Sequence, residues 1–311
     1  MRDNAVKQKP KSGKMTAARR RTICWGYFFI SPALAGLLMF YFGPILFSLG
    51  ISLFEWDMIR SPAYIGLDNY INMFTKVNSL VPQALKVTIG YSLLTVPLIT
   101  VISLFLAVLL NARVRYLSVF RTLFYIPSIV PAVANAALWM FLCNPMFGLL
   151  NAMLKAIGLP ASNWIYDART VIPTLSVMAV WGAGNTVIIY LAGLQGISAS
   201  LYESVSIDGG NARHKFVYIT VPMMSPVIFY NMTMAIIQCM QTFTQAYIMT
   251  EGGPGNASLF YVLLLYRTAF NNQQMGYASA MAWLLFVMIA VLTMLAFKVS
   301  NRWVFYEGDL S

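Results

Sequence analysis

Two groups of side chains carry the chemistry that the sequence offers. The first is a set of neutral polar groups in apolar surroundings. Asn231, Gln238, Gln241, Thr242 and Gln245 fall at offsets of 0, 7, 10, 11 and 14 residues. At about 100° per residue they share one helical stripe roughly a quarter-turn wide. Amides in hydrocarbon need partners, so the stripe must face other helices or water. Two roles fit it: helix–helix hydrogen bonding, worth roughly 0.6 kcal/mol each in a membrane, or binding of a solute's hydroxyl groups. Trp181 and Asn185 lie four residues apart on one face, with Gly182 and Gly184 allowing close approach. Trp181 either stacks on a ring-shaped solute whose hydroxyls bond Asn185, or packs as an aromatic against small residues.

The second group lies in the segment 200–222. Glu203, Asp208, Arg213 and Lys215 sit there beside Val205, Ile207, Phe216 and Ile219. Ser200 with Glu203 three residues on has the capping-box pattern. Gly209-Gly210 should turn the chain sharply. A second short helix is expected from Asn211 to about Val221, and Pro222 should open the next long helix, where a missing N–H costs little. Such a bent, half-apolar, half-charged piece suits docking to a protein, or is an ordinary interfacial loop.

Other chemistry is missing. No Gly-x-x-x-x-Gly-Lys-Ser/Thr run exists to cradle phosphates; Gly13-Lys14 is followed by Met15. The single histidine, His214, has no nucleophile placed for it and no Gly-x-Ser-x-Gly elbow accompanies it. It reads as a solvated surface residue. Cys24, Cys143 and Cys239 make neither a disulfide framework nor a metal spacing and read as packing residues. An enzyme, and a metal or cofactor held by this chain, are not expected.

The elements that must position these groups are membrane helices. Of 311 residues, 59% are hydrophobic and 10% charged, against about a quarter charged in a soluble domain. Asp, Glu, Lys and Arg are absent from 22–54, 87–112, 122–154, 170–202, 216–250 and 268–297. A bilayer core needs roughly 20 apolar residues per helix, so each stretch spans once. Helices are expected near 24–52, 88–111, 119–142, 172–194, 223–247 and 276–299. Pro32 and Gly43-Pro44 should bend the first. The expected fold is an all-α integral membrane protein with six transmembrane helices; membrane strands would alternate polar and apolar residues, and these stretches do not.

The net charge of +11 reads as topology rather than nucleic-acid binding. Alternate sides of the membrane hold 15 and 6 Lys and Arg residues, and the richer side is cytoplasmic. Both termini and the 200–222 loop are then cytoplasmic. Residues 1–21 read as a basic disordered tail, 22–300 as the membrane domain and 301–311 as a short tail. The run from Ile23 to Ile51 is too long for a signal peptide. Outside, a short amphipathic helix is expected over 67–74 at the interface, and Asn144-Pro145, Gly158-Leu159-Pro160 and Gly252-Gly253-Pro254-Gly255 mark turns. With no Asp, Glu or His inside the charge-free stretches there is no proton relay. A secondary active transporter for a neutral polar solute, using sodium held by carbonyls, stays open as an alternative.

The 200–222 loop resembles the EAA loop of ATP-binding-cassette importer permeases. Glu203, Gly209, Ile219 and Pro222 match that pattern's spacing, and Asp208 and Pro226 fit; Ser204 and Val205 replace its usual small pair. Ser31-Pro32, Gly66-Leu67-Asp68-Asn69-Tyr70 and Thr250-Glu251-Gly252-Gly253-Pro254 resemble the carbohydrate-uptake branch, its MalF-like half in particular, over residues 25 to 300. The resemblance implies the type I importer permease fold in a bacterial cell membrane. It implies a second, MalG-like permease, two ATPase subunits holding ATP and magnesium, and an extracytoplasmic sugar-binding protein. It implies that Glu203, Asp208, Gly209, Ile219 and Pro222 couple to the ATPase, and that sugar passes Trp181, Asn185, Gln238, Gln241, Thr242 and Gln245. The residue identities on that pathway differ from the MalF type, so the sugar's identity does not transfer.

Overall fold

The computed structural model describes residues 17–112 and 116–305, with side chains from Arg20 onward. The chain divides into two units, one ending at Ile51 and one beginning at Ser52. Residues 1–16 of the expected tail lie outside the described residues; Ala17 to Arg21 already belong to a helix. Of the tail 301–311, residues up to Phe305 are described.

The first unit is one long apolar rod. Helix α1 (Ala17–Leu37) runs through Pro32 into a π-helical turn, Leu38–Phe42, and on into α2 (Gly43–Ile51). Pro44 can donate no N–H, and its ring would strike the carbonyl four residues back in a regular helix. The wider turn just ahead of Gly43-Pro44, closed by the Gly43 N–H on Leu38 O, accommodates it. The expected disturbance at this pair is thus a π-bulge in a continuous rod.

The second unit opens on a small hairpin, β1 (Phe54–Glu55) and β2 (Ala63–Tyr64), with Phe54 opposite Tyr64. Helix α3 (Asp68–Thr75) follows where the amphipathic helix was expected. It packs on later helices instead of only lying at an interface, because Asn69 and Met73 turn inward. Asn69 Nδ2 donates to the carbonyls of Ser52 at 2.8 Å and Phe54 at 3.0 Å, and Tyr70 Oη to Ser52 Oγ at 2.8 Å.

Helix α4 (Val81–Asn111) is the axis of this unit. Its buried stripe holds Ala84, Thr88, Ser92, Thr95, Ser103 and Ala107, while Leu93, Val101 and Phe105 are exposed. Large apolar residues outside and small or hydroxyl residues inside is the pattern of a helix solvated by lipid. The inner hydroxyls bond locally or across helices, as in Thr95 Oγ1 to Ser176 Oγ at 2.8 Å and the Tyr261 N–H to Thr88 Oγ1 at 2.9 Å.

Two of the expected spans are broken. The third is α5 (Leu117–Ile129) and α6 (Ala132–Leu142), which meet at 101°. Pro131 forces extended backbone on Val130 (φ −65°, ψ 128°). After α7 (Leu149–Ala156) comes the fourth, α8 (Val171–Trp181) and α9 (Gly184–Gln195), bent by 49° at Gly182-Ala183. Among the described residues, four helices are long and apolar enough to cross a bilayer, and up to six spans result if each bent pair counts as one.

Helices α10 (Ala199–Ile207) and α11 (Ala212–Lys215) build the 200–222 loop. A π-turn, Phe216–Thr220, leads into α12 (Val221–Met240), so the helix is continuous from Ala212 and Pro222 does not begin it. The π-turn again ends two residues before a proline. The expected helix to residue 247 stops at Met240; a second piece ends in a π-turn at Ala246–Thr250.

The segment read as an outer loop over 248–275 contains α13 (Tyr261–Tyr266) and a π-turn, Arg267–Asn271. Leu259, Phe260, Tyr261 and Leu263 in it are wholly buried. The last helix is α14 (Met275–Ser300). Helix α4 packs on α8, α9, α12 and α13, and α12 on α9 and α14. Cys143 and Cys239 are buried and free, and Cys24 is free and exposed.

Candidate functional site

The second unit holds a half-open cavity of about 550 Å³, within the usual range for small-molecule pockets. Three interruptions of helix converge on it. Val130 and Ala132 line it from the α5–α6 break, Gly182 and Ala183 from the α8–α9 break, and Gln241, Thr242 and Phe243 from the end of α12. Non-helical backbone at membrane depth is tolerated only inside protein or against a water-filled cavity. The breaks therefore belong where they are found, beside open volume.

The first two breaks have a local cause. Pro131 makes the first. At the second, the small run Gly182-Ala183-Gly184 lets α9 approach α5 until a Cβ on Gly184 would stand 2.2 Å from the Phe124 carbonyl oxygen. At the third, Gln241 leaves the helix at φ −104°, ψ 16° and the chain passes through Thr242 and Phe243 before it turns helical again.

Five of the six residues expected on the pathway line this cavity: Asn185, Gln238, Gln241, Thr242 and Gln245. Trp181 is outside the lining. Its ring packs edge-on against Trp139, with centroids 5.9 Å apart. Asn231 also lines the cavity, but its Nδ2 donates to Val227 O at 2.9 Å within its own helix. The single-stripe arrangement does not hold, because α12 ends before Gln241. The broken backbone carries Gln241, Thr242 and Gln245 to the same cavity by another route.

Sequence reasoning missed Tyr91, Ser128, Asn135, Thr186, Tyr230 and Thr244, which complete the amide and hydroxyl lining. The signal for Asn135 is a lone amide within the expected helix 119–142. None of the lining residues is Asp, Glu, Lys, Arg or His. The wall thus offers amides, hydroxyls and aromatic edges and no fixed charge, which suits hydrogen bonding to a neutral polar solute.

The 200–222 loop forms a compact bent arm. Ser198, not Ser200, occupies the N-cap of α10; Ser200 lies inside the helix and its hydroxyl is 2.8 Å from that of Ser198. The arm turns through a Schellman motif: the Gly209 N–H reaches Ser206 O at 3.2 Å and the Gly210 N–H reaches Val205 O at 2.8 Å. Gly209 sits at φ +78°. Asn211 caps α11 by accepting from the His214 N–H at 3.0 Å. His214 is exposed and stacks on Tyr218, rings 6.0 Å apart, so it is a capping residue as well as a surface one. Glu203 and Asp208 are exposed, as are Ile207 and Tyr218, while Ile219 and Pro222 are half-buried.

A second cleft, about 460 Å³, is lined by Glu55, Asp57, Arg60, Asp68 and Lys76 with Gln273 and Tyr277. The backbone N–H groups of Arg60 at 2.7 Å and Ile59 at 3.0 Å hold the Asp57 carboxyl below the usual carboxylate range.

The family described as "binding-protein-dependent transport system inner membrane component" matches residues 99–306, which take in the cavity's α5 to α12 walls and the bent arm. This chain belongs to that family. A member is an inner-membrane transport component and not an enzyme. Among relatives, the probable ABC transporter permease protein YesP of Bacillus subtilis (strain 168) is 41% identical over 95% of this chain and 96% of its own. The trehalose/maltose transport system permease protein MalF of Thermococcus litoralis is 30% identical over 89% of this chain and 93% of its own. A chain of the bacterial alginate ABC transporter, solved with a periplasmic protein carrying alginate pentasaccharide, superposes with a TM-score of 0.77. It covers 91% of this chain and 96% of its own at 22% identity, and so matches the fold.

Proposed function

We infer that this chain is a permease subunit of a binding-protein-dependent ATP-binding-cassette importer and forms half of the passage for a sugar. The carrying observation is the 550 Å³ cavity on which three helix breaks and an uncharged set of amides and hydroxyls converge. Sugars present many hydroxyls and no hydrophobic bulk, and side-chain amides match each hydroxyl as donor or acceptor. The printed names of relatives, trehalose/maltose among them, support a saccharide.

In this reading the chain crosses the membrane six times, each bent pair counting as one span, with both termini and the bent arm in the cytoplasm, as the distribution of Lys and Arg favours. The arm docks on an ATPase subunit through Glu203, Asp208 and the exposed Ile207, while Gly209, Ile219 and Pro222 shape it. ATP and magnesium belong to two such partner subunits. A second, MalG-like permease closes the open side of the cavity. The charged cleft around Asp57 lies outside, where an extracytoplasmic sugar-binding protein docks. The membrane is a bacterial plasma membrane.

Cysteine accessibility tests this reading. Gln241→Cys, in a background with Cys24, Cys143 and Cys239 replaced by Ala, should react with a membrane-impermeant thiol reagent in the assembled transporter, and ATP with the binding protein should change the rate. A site that never reacts from either side of the membrane would contradict a passage along this wall.

A further inference from the structure

Asn135 stands on α6 four residues before Trp139, on the cavity side of the 101° break. Its Oδ1 is fully buried and accepts no hydrogen bond. Three other buried polar side-chain atoms among the described residues share that condition: Arg121 Nε, Trp139 Nε1 and Tyr190 Oη. Of these four residues, only Asn135 lines the cavity. A buried acceptor without a donor is costly, and native chains keep few. One that borders open volume is satisfied by what enters the volume.

We propose that Asn135 is a substrate-contacting residue of the passage, its side-chain oxygen accepting a hydrogen bond from a sugar hydroxyl. The proposal deepens the sugar-permease reading and rests on it. It adds a contact from the third span to the amides of the fourth and fifth. Two features support the assignment. The amide sits one turn into a short helix that begins at Pro131, so its position is fixed by the break that opens the cavity. The described residues offer its oxygen no partner, whereas Asn231 in the same wall bonds Val227 O. A hydroxyl both donates and accepts, so it satisfies whichever end of the amide it meets.

The test uses the complete importer in proteoliposomes, with its binding protein outside and ATP inside. The probe is a tritium-labelled mixture of neutral oligosaccharides from starch and arabinan hydrolysates. Asn135→Leu keeps the branched shape and removes the acceptor; Asn135→Asp keeps an oxygen in place. For Asn135→Leu we expect the maximal uptake rate to fall at least ~10-fold, while binding-protein-stimulated ATP hydrolysis stays within about twofold. The sugar carried per ATP therefore collapses, and Asn135→Asp restores a measurable part of it. Equal uptake by Asn135→Leu and wild type overturns the proposal. So does a parallel loss of second permease on purification, which would make the oxygen's partner a subunit. Absence of uptake of any component by the wild type, with intact ATP hydrolysis, instead removes the sugar reading beneath it.

Discussion

Tyr202 Oη and Thr220 Oγ1 lie 3.0 Å apart, joining the first arm of the bent loop to the π-turn at the foot of α12. Thr220 is buried and Tyr202 half-buried, and the Thr220 hydroxyl also approaches Lys215 O at 3.3 Å. A push on α10 therefore reaches α12, whose far end carries the cavity's amides. Tyr202→Phe removes one hydrogen bond, about 0.5–1.5 kcal/mol. We expect normal insertion and ATPase binding, with sugar transported per ATP lowered roughly 2- to 10-fold. Parallel measurement of uptake and ATP hydrolysis checks it.

Gly209 and Gly210 shape the same arm by different means. Gly209 needs the left-handed region (φ +78°), where an L residue costs roughly 1–2 kcal/mol. Asn tolerates that region better than most residues. Gly209→Ala should reduce co-purification of the ATPase, and Gly209→Asn should reduce it less. At Gly210 a Cβ would meet Val205 Cγ1 at 2.4 Å and Val205 O at 2.8 Å. Gly210→Ala should therefore be the most damaging of the three in the same pull-down.

Gly184 is where α9 meets α5 backbone to backbone. The contact of a new Cβ would be the Phe124 carbonyl, which cannot swing aside. Overpacking typically costs about 1–3 kcal/mol, and here the upper end is expected. Gly184→Ala should lower the yield of assembled complex. Gly193→Ala meets the flexible end of Met224 at 3.0 Å and should be milder. Detergent-extracted yield and melting temperature compare the two.

Gln238 and Gln241 flank the end of α12 and are exposed to the cavity. Leu at either position removes amide contacts with little change of volume. Each variant should lose uptake by roughly 10-fold, about 1.4 kcal/mol, without losing assembly. Asn231→Leu, whose amide bonds its own helix, should lose less. Initial uptake rates per assembled complex decide the order.

Much of this architecture was legible because charge is costly in hydrocarbon. The stretches free of Asp, Glu, Lys and Arg located the apolar helices and led to the amides that line the cavity. The Gly66–Tyr70 motif also had a local meaning, since Asn69 and Tyr70 tie α3 back to Ser52 and Phe54. The breaks were hidden. A proline such as Pro131 announces a disturbance but not whether the helix bends, bulges or turns through 101°; Pro44 and Pro222 each sit behind a π-turn in a continuous helix. The stripe from Asn231 to Gln245 assumed helix through residues that the structure unwinds. Trp181 was placed by helical spacing, which cannot see that Trp139 takes its ring. The buried piece around α13 escaped because Arg267 interrupts its apolar run, and that charge is met by a backbone carbonyl: Arg267 Nη2 donates to Glu251 O at 2.7 Å.

The central claim is that ATP hydrolysis on a partner reaches a sugar in the cavity through the bent arm. It is tested most directly by uptake of the labelled oligosaccharide mixture into proteoliposomes holding the complete importer, with wild type compared against Glu203→Lys. Glu203 is exposed on α10, so the reversal should leave the chain folded and inserted. The account predicts uptake that needs both ATP and the binding protein, and its loss in Glu203→Lys together with loss of the ATPase on purification. Uptake that continues with no ATPase subunit present, driven by an ion gradient, would contradict it.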